Sequence, residues 1–468
     1  MAFLIGGANS AADTGFSVAN SVRIDDGDSA YMHNTLSSGD GSDVKGTISF
    51  WTKRGNLGTN QAVIAGKKGN TERVTIGFSS DDYFEIQFQD NSNAYNWRST
   101  AVYRDIAAWY NFVIHLDTGN ATANSRARVW VNNSEITSWG TREAVPQSLK
   151  IGFFNGTDGN KRLVGARGGS SVDKFYDGYI AEVVVLNNAL SAATNFGEYN
   201  EDSPNIWQPI DVSGLTFGTH GFYLDFEASD NLGNDANGGA DFTEVNLAAT
   251  DQTSDSPTNN FCTMNHLDNF YFGAAFSEGN LKVVSTDAIE TFGTGTMGVA
   301  NGKWYWEVKV TSASGYTNIG IASEVSDSAS NYLGEKASKP NYMYDSGTGD
   351  SYTGGSGTDH GDTYTDGDII SVALNLDDNE INYYKNGTVQ NSGTAVSITA
   401  AASTPIGFYL PAAGDRHDDS ATLDFNFGNP SYANSSDAAD ANGYGAFEYA
   451  PPSGFLALCT KNLGSTGG

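Results

Sequence analysis

The chain has 468 residues, with 25 Lys plus Arg against 55 Asp plus Glu, a formal charge of −30 and a pI near 4.3. That length suits two or three domains that each bury a core without covalent staples. The carboxylate excess argues against nucleic acid and against membrane insertion, since both surfaces call for basic patches. With 8 Trp, 23 Tyr and 25 Phe the chain is nevertheless expected to fold.

At the N-terminus, Phe3, Leu4 and Ile5 form an apolar run too short for a signal-peptide core or a membrane span, so synthesis in the cytosol is expected. Residues 1–25 read as an attachment segment through which copies of the chain would self-associate. Runs with a period of two follow: 47–52 (TISFWT), 83–89 (YFEIQFQ), 109–116 (WYNFVIHL), 126–131 (RARVWV) and 180–186 (IAEVVVL). β-branched and aromatic residues dominate them, and Gly, Asn, Asp or Ser bound them, which predicts antiparallel strands of a first sandwich over 26–210. Residues 231–260 are poor in aliphatics and rich in Gly, Asn, Asp and Thr, and 211–262 reads as an irregular connector. A second sandwich with a C-terminal tail is expected over 263–468, from 304–310 (WYWEVKV), 318–322 (NIGIA), 369–376 (IISVALNL), 381–385 (INYYK) and 423–427 (LDFNF). Asn386-Gly387 signals a hairpin turn, because both residues tolerate positive φ. The expected fold class is therefore all-β, with two antiparallel jelly-roll-type sandwiches.

No metalloprotease, α/β-hydrolase or P-loop motif occurs, nor the Glu-x-Asp-x-x-Glu triplet of sandwich-fold glycanases, which places an acid and a nucleophile on one strand face. Asp225 and Glu227 have the right alternation without a third carboxylate. The chain is expected not to be an enzyme, a glycan-degrading hydrolase being the remote alternative. Between 345 and 368, Asp345, Asp350, Asp359 and Asp362 offer hard oxygen ligands in a Gly-rich loop, making Ca²⁺ the one candidate cofactor, although none is required. Tyr95 and Trp97 follow a polar turn and Trp139 lies beyond a strand end, so these three are candidates for stacking on a sugar ring. Cys262 and Cys459, without Cys-x-x-Cys spacing, are expected to remain thiols.

Residues from about 26 to 200 resemble concanavalin A-like (laminin G-like) jelly rolls, through TISFWTKRG at 47–55, RDIAAWYNFVIHLDT at 104–118 and FYDGYIAEVVVLNNAL at 175–190. Residues 303–428 resemble SPRY (B30.2-like) sandwiches, through KWYWEVKV, IGIA and the block GDIISVALNLDDNEINYYKNG at 367–387. The segments 196–226, 255–261 and 451–463 resemble connectors of bacteriophage tail-fibre and other virion proteins. Together these resemblances imply a virion appendage whose lectin-like domains adhere to host-surface glycan or protein, alongside other virion proteins. A purely structural decoration of the particle is the alternative.

Overall fold

The computed structural model describes residues 4–5, 15–36, 43–69, 71–154, 160–201, 203–286, 290–313, 315–328, 330–416 and 420–465. Phe3 of the expected attachment run lies outside them. The chain is nearly all β, 43% strand against 5% helix, in multiple antiparallel sheets. It divides into one unit of residues 13–258 and another formed by 259–468 with 1–12.

In the first unit two eight-stranded sheets enclose the core. Lys45–Arg54 lies between Tyr110–Asp117 and Gly178–Asn187 in one sheet, and Glu72–Phe78 lies between Gln61–Lys68 and Tyr83–Asp90 in the other. The alternation seen in the sequence sets which face is inward: along Tyr83–Asp90, Phe84, Ile86 and Phe88 are buried while Tyr83, Glu85 and Gln87 are half-exposed. Phe84 stacks on Phe112 at 4.5 Å between ring centroids, and Phe50 and Phe78 pack on the same ring. Each fully buried Phe contributes about 1.5–3 kcal/mol.

Most of the stretch read as a connector belongs to this sandwich. Phe222–Leu224 pairs with Gly178–Asn187, Thr243–Val245 with Tyr31–Thr35, and Gln252–Thr253 with Ser21–Ile24. Asp255 is fully buried, 2.5 Å from Lys53 Nζ, and accepts from Trp109 Nε1 at 3.0 Å. The unit boundary falls at Thr258/Asn259, inside the stretch read as a connector. These edge strands are three residues or fewer, too short to display a period of two.

The second unit pairs a nine-stranded sheet with a six-stranded one. Lys303–Ser312 is central in the larger sheet, between Thr422–Asn426 and Ile369–Asn375. The Asn386-Gly387 turn forms as expected, with φ of 49° and 76°. The tail is docked as well: Leu456–Ala457 pairs in parallel with Lys303–Ser312, and Glu307, buried below it, accepts the backbone N–H groups of Glu448 and Tyr449. Leu4–Ile5, expected to serve self-association, pairs in parallel with Met297–Gly298 of its own chain. Cys262 and Cys459 are both buried, and no disulfide joins them.

Candidate functional site

The Asp/Gly-rich stretch at 345–368 is folded, contrary to a plain loop. Asp350–Thr353 and Ser356–Asp359 make a hairpin across Gly354-Gly355, whose φ values of 59° and 75° suit a tight primed turn. This hairpin extends the six-stranded sheet beyond Tyr342–Asp345. Opposite Tyr352 the partner strand carries Gly357, where a Cβ would lie 2.7 Å from the Tyr352 ring, so glycine is what admits that ring.

Between the hairpin and the strand Glu380–Lys385 lies a cavity of about 200 Å³. Tyr342, Tyr352 and Tyr383 line it, with His360, Asp359 and Asn391. Tyr383 packs one ring face on Tyr344 at 5.3 Å and meets the His360 ring edge-on at 5.5 Å. Tyr383 Oη and His360 Nε2 are buried without a hydrogen-bond partner. Such groups cost about 1–3 kcal/mol each when left unmade, an expense more usual at binding sites than in plain cores. Burial lowers the His360 pKa, so its ring is neutral at pH 7, and raises that of Tyr383.

The four acids proposed as a Ca²⁺ site do not converge. Asp345 is fully buried and caps its own turn, its Oδ1 accepting from Gly347 N, Thr348 N and Thr348 Oγ1 at 3.0–3.1 Å, with Arg416 Nε 3.6 Å from Oδ2. Asp362 receives no such cluster; its N–H donates to Gln390 Oε1 and its carbonyl accepts from Tyr344 Oη. Asp350 and Asp359 are register partners on the hairpin, with Asp359 exposed. Among the described residues, the carboxylates that gather in a group of three are Asp25, Asp26 and Asp177 of the first sandwich, with oxygens within 4.8 Å of one another. The register that pairs Gly178 with Ile24 brings Asp177 beside Asp25. Asp25 Oδ1 accepts from Gly27 N at 2.7 Å and Asp177 Oδ1 from Asn56 N at 3.0 Å. Burial, and then the charge of Asp25, raise the Asp26 pKa. Three carboxylates of this kind suit a hard divalent cation. Asp25 and Asp26 stand in an acidic run with Asp28, but nothing in the sequence joins them to Asp177, because strand pairing across about 150 residues assembles the trio.

The aromatic trio is corrected too. Trp97 is fully buried, with its Nε1 donating to the Glu143 carbonyl at 2.8 Å. Tyr95 lies two residues away on the same strand and so shares the core face, where it is half-buried. Trp139 sits on the neighbouring edge strand, packs edge-on against Trp97 at 5.5 Å and is also half-buried. Trp97 and Trp139 therefore meet as core, with Arg142 over both rings. The polar turn before Tyr95 is a hairpin tip, and it says nothing about which face the next strand presents. Asp225 and Glu227 do not lie along a strand: Phe226 between them has φ of 58°, and Asp225 Oδ1 accepts from Glu227 N.

Two family models match the chain: the concanavalin A-like lectin/glucanase superfamily over residues 25–194 and the SPRY domain over 303–429. The chain thus carries a laminin G-like, concanavalin A-like domain followed by a SPRY domain. It is 36% identical over 121 residues to Ran-binding protein 9 of Xenopus tropicalis, an alignment covering 24% of this chain and 22% of that protein. The Xenopus laevis protein of the same name matches to the same extent. Among solved structures, the SPRY domain of human HERC1 is 17% identical and covers 30% of this chain and 86% of its own, with a TM-score of 0.24. A heptameric SAP-like pentraxin from Limulus polyphemus is 14% identical, covering 38% of this chain and 80% of its own, with a TM-score of 0.27.

Proposed function

We propose that this chain is a non-catalytic adhesion protein of a bacteriophage particle, a tail or capsid fibre whose two sandwiches hold host-surface glycan or protein. The observation that carries the binding role is the tyrosine-walled cavity of the SPRY domain, with polar groups left unpartnered at its lining. Lectin-like and SPRY domains generally mediate protein or glycan binding, and many copies on one particle would turn weak sites into avidity. The resemblance of 196–226, 255–261 and 451–463 to virion connectors supports the phage setting. A binding rather than hydrolytic role is favoured by Asp225 and Glu227, which flank a left-handed residue instead of sharing a strand face. Any Ca²⁺ requirement belongs in this reading to Asp25, Asp26 and Asp177.

Adsorption tests the proposal. Purified full-length chain is expected to bind host cells and to compete with virions for adsorption. Absence of binding, together with normal adsorption of particles lacking the chain, would overturn it. Particles that fail to assemble without the chain would instead favour the purely structural role.

A further inference from the structure

The hairpin at 350–359 ends the six-stranded sheet of the SPRY domain, and its outer strand, Ser356–Asp359, pairs on one side only. All four residues of that strand are exposed. Gly354 and Gly355 alone make the turn, so the Thr353–Ser356 pair that closes it is hydrogen-bonded, and pairs alternate from there. Ser351–Thr358 is bonded in the same way, whereas Gly357 and Asp359 aim both N–H and C=O outwards, away from Asp350–Thr353. Among the described residues no strand takes them up. Sheets ordinarily blunt such an edge with charge, proline, a bulge or a covering segment. On Ser-Gly-Thr-Asp the one guard is Asp359.

The same edge forms a lip of the tyrosine-lined cavity. Register puts Tyr344, Ser351 and Thr358 on one face, where Tyr344 stacks on Tyr383 of the opposite sheet. His360, two residues beyond Thr358, turns the same way and meets Tyr383 edge-on. Asn391, Ala395 and Val396 form the facing lip, and all three keep contact with solvent. Inside, Tyr383 Oη and His360 Nε2 are unpartnered although the two residues are 0% and 1% exposed. Asp350 and Asp359, opposite one another, point to the other face, and among the described residues no ion pair engages either.

We propose that Ser356–Asp359 accepts an extended peptide of a partner protein as one more antiparallel strand, with its inward side chain seated in the cavity. The inference rests on the adhesion reading and narrows its ligand to a protein segment. The edge selects a peptide because a donor and an acceptor side by side on one residue are both completed by a facing residue's main chain, as they are between the other strands of this sheet. The residue facing Thr358 points into the cavity, where an amide supplies both a donor and an acceptor to Tyr383 Oη and His360 Nε2. Its two neighbours, facing Gly357 and Asp359, lie on the side of the two free carboxylates, which favours cations there. The partner segment is therefore Asn or Gln between two Lys or Arg, in an otherwise β-prone sequence.

The probe is the peptide acetyl-Thr-Val-Lys-Asn-Lys-Val-Thr-amide, titrated into the full chain by calorimetry. It is expected to bind, and a copy N-methylated at both lysines, which keeps every side chain but loses the two edge-facing donors, is expected to bind at least about tenfold more weakly. Equal binding of the two peptides would overturn strand addition, whatever any variant does to folding. Asp359→Pro removes one outward N–H and leaves the hairpin's own bonds, so binding is expected to be lost with Tm held; Asp359→Asn, which keeps that N–H, is expected to weaken binding only about threefold. Tyr383→Phe is expected to weaken binding about tenfold while holding or raising Tm, since a buried hydroxyl without a partner is removed. Unchanged binding with a lower Tm would make that hydroxyl structural and overturn the seat in the cavity. If the peptide does not bind while the chain still adheres to host cells shaved of surface protein by protease, the strand proposal fails and the adhesion reading survives with glycan as its ligand. If the peptide binds and host cells do not, the adhesion reading alone fails, and if neither binds, both fail.

Discussion

The two sandwiches bury charge in different ways. In the first, two buried cations meet opposite charges: Lys53 with Asp255, and Arg54 with Asp82, which also receives Arg104 at 2.8 Å. In the second, two buried carboxylates, those of Glu307 and Asp440, are held by neutral donors. Glu307 takes four, from Tyr305 Oη, Asn426 Nδ2 and the N–H groups of Glu448 and Tyr449 at 2.8–3.1 Å. Asp440 likewise takes Ala457 N and Asn462 Nδ2. The ion pairs clamp distant segments of chain against the first sandwich. The neutral donors pin the tail of the second, so each device fastens a stretch whose own sequence pattern is weak.

Breaking the first device should cost most. Asp255→Ala strands Lys53 and is expected to destabilise the first unit by about 3–5 kcal/mol in chemical denaturation, whereas the pair Lys53→Met with Asp255→Leu should recover most of that loss. If both variants lose equally, packing rather than charge holds the segment. Glu307→Gln replaces one accepting oxygen with a donor that faces two other donors, and a cost of about 2–3 kcal/mol is expected, with proteolytic cleavage appearing first after residue 430. Uniform cleavage across the second unit would show that the tail is not separately pinned.

The smallest effect concerns Glu182, a buried carboxyl of the first sandwich that is held by a neutral donor. It sits at a bulge with φ of 51°, is buried, and accepts from Tyr223 Oη at 2.7 Å. Burial, reinforced by the charges of Asp225, Glu227 and Asp211, pushes its carboxyl up to about 8. Because the folded pKa exceeds the unfolded one, the folded chain binds the extra proton between the ordinary Glu range and pH 8. Its stability contribution is therefore complete in acid and is lost as pH rises through that window. Glu182→Gln is expected to flatten this loss and raise Tm at pH 8.5 by about 2–4 °C, with little change at pH 5. A parallel shift at both pH values would remove Glu182 as the titrating group.

Where strands are long and alternate cleanly, their existence and inward face were legible from the residues, as in Tyr83–Asp90 and Lys303–Ser312. The short edge strands at 222–253 were not, since two or three residues carry no period. The aromatic candidates failed for a related reason. Tyr95 and Trp97 sit next to a polar turn, but the register of the hairpin, not the polarity of its tip, decides which side they face. The acids at 345–362 failed because chemistry-bearing residues close in sequence were spread along a hairpin and a capped turn.

By itself the sequence determined the all-β class, the two sandwich domains and the surplus of negative charge, because these depend on composition and local periodicity. Only the tertiary structure decided which side chains meet: Asp177 beside Asp25, and Tyr383 beside His360. Those meetings depend on strand register between segments far apart in the chain, and a shift of one residue would turn every one of these side chains to the opposite face.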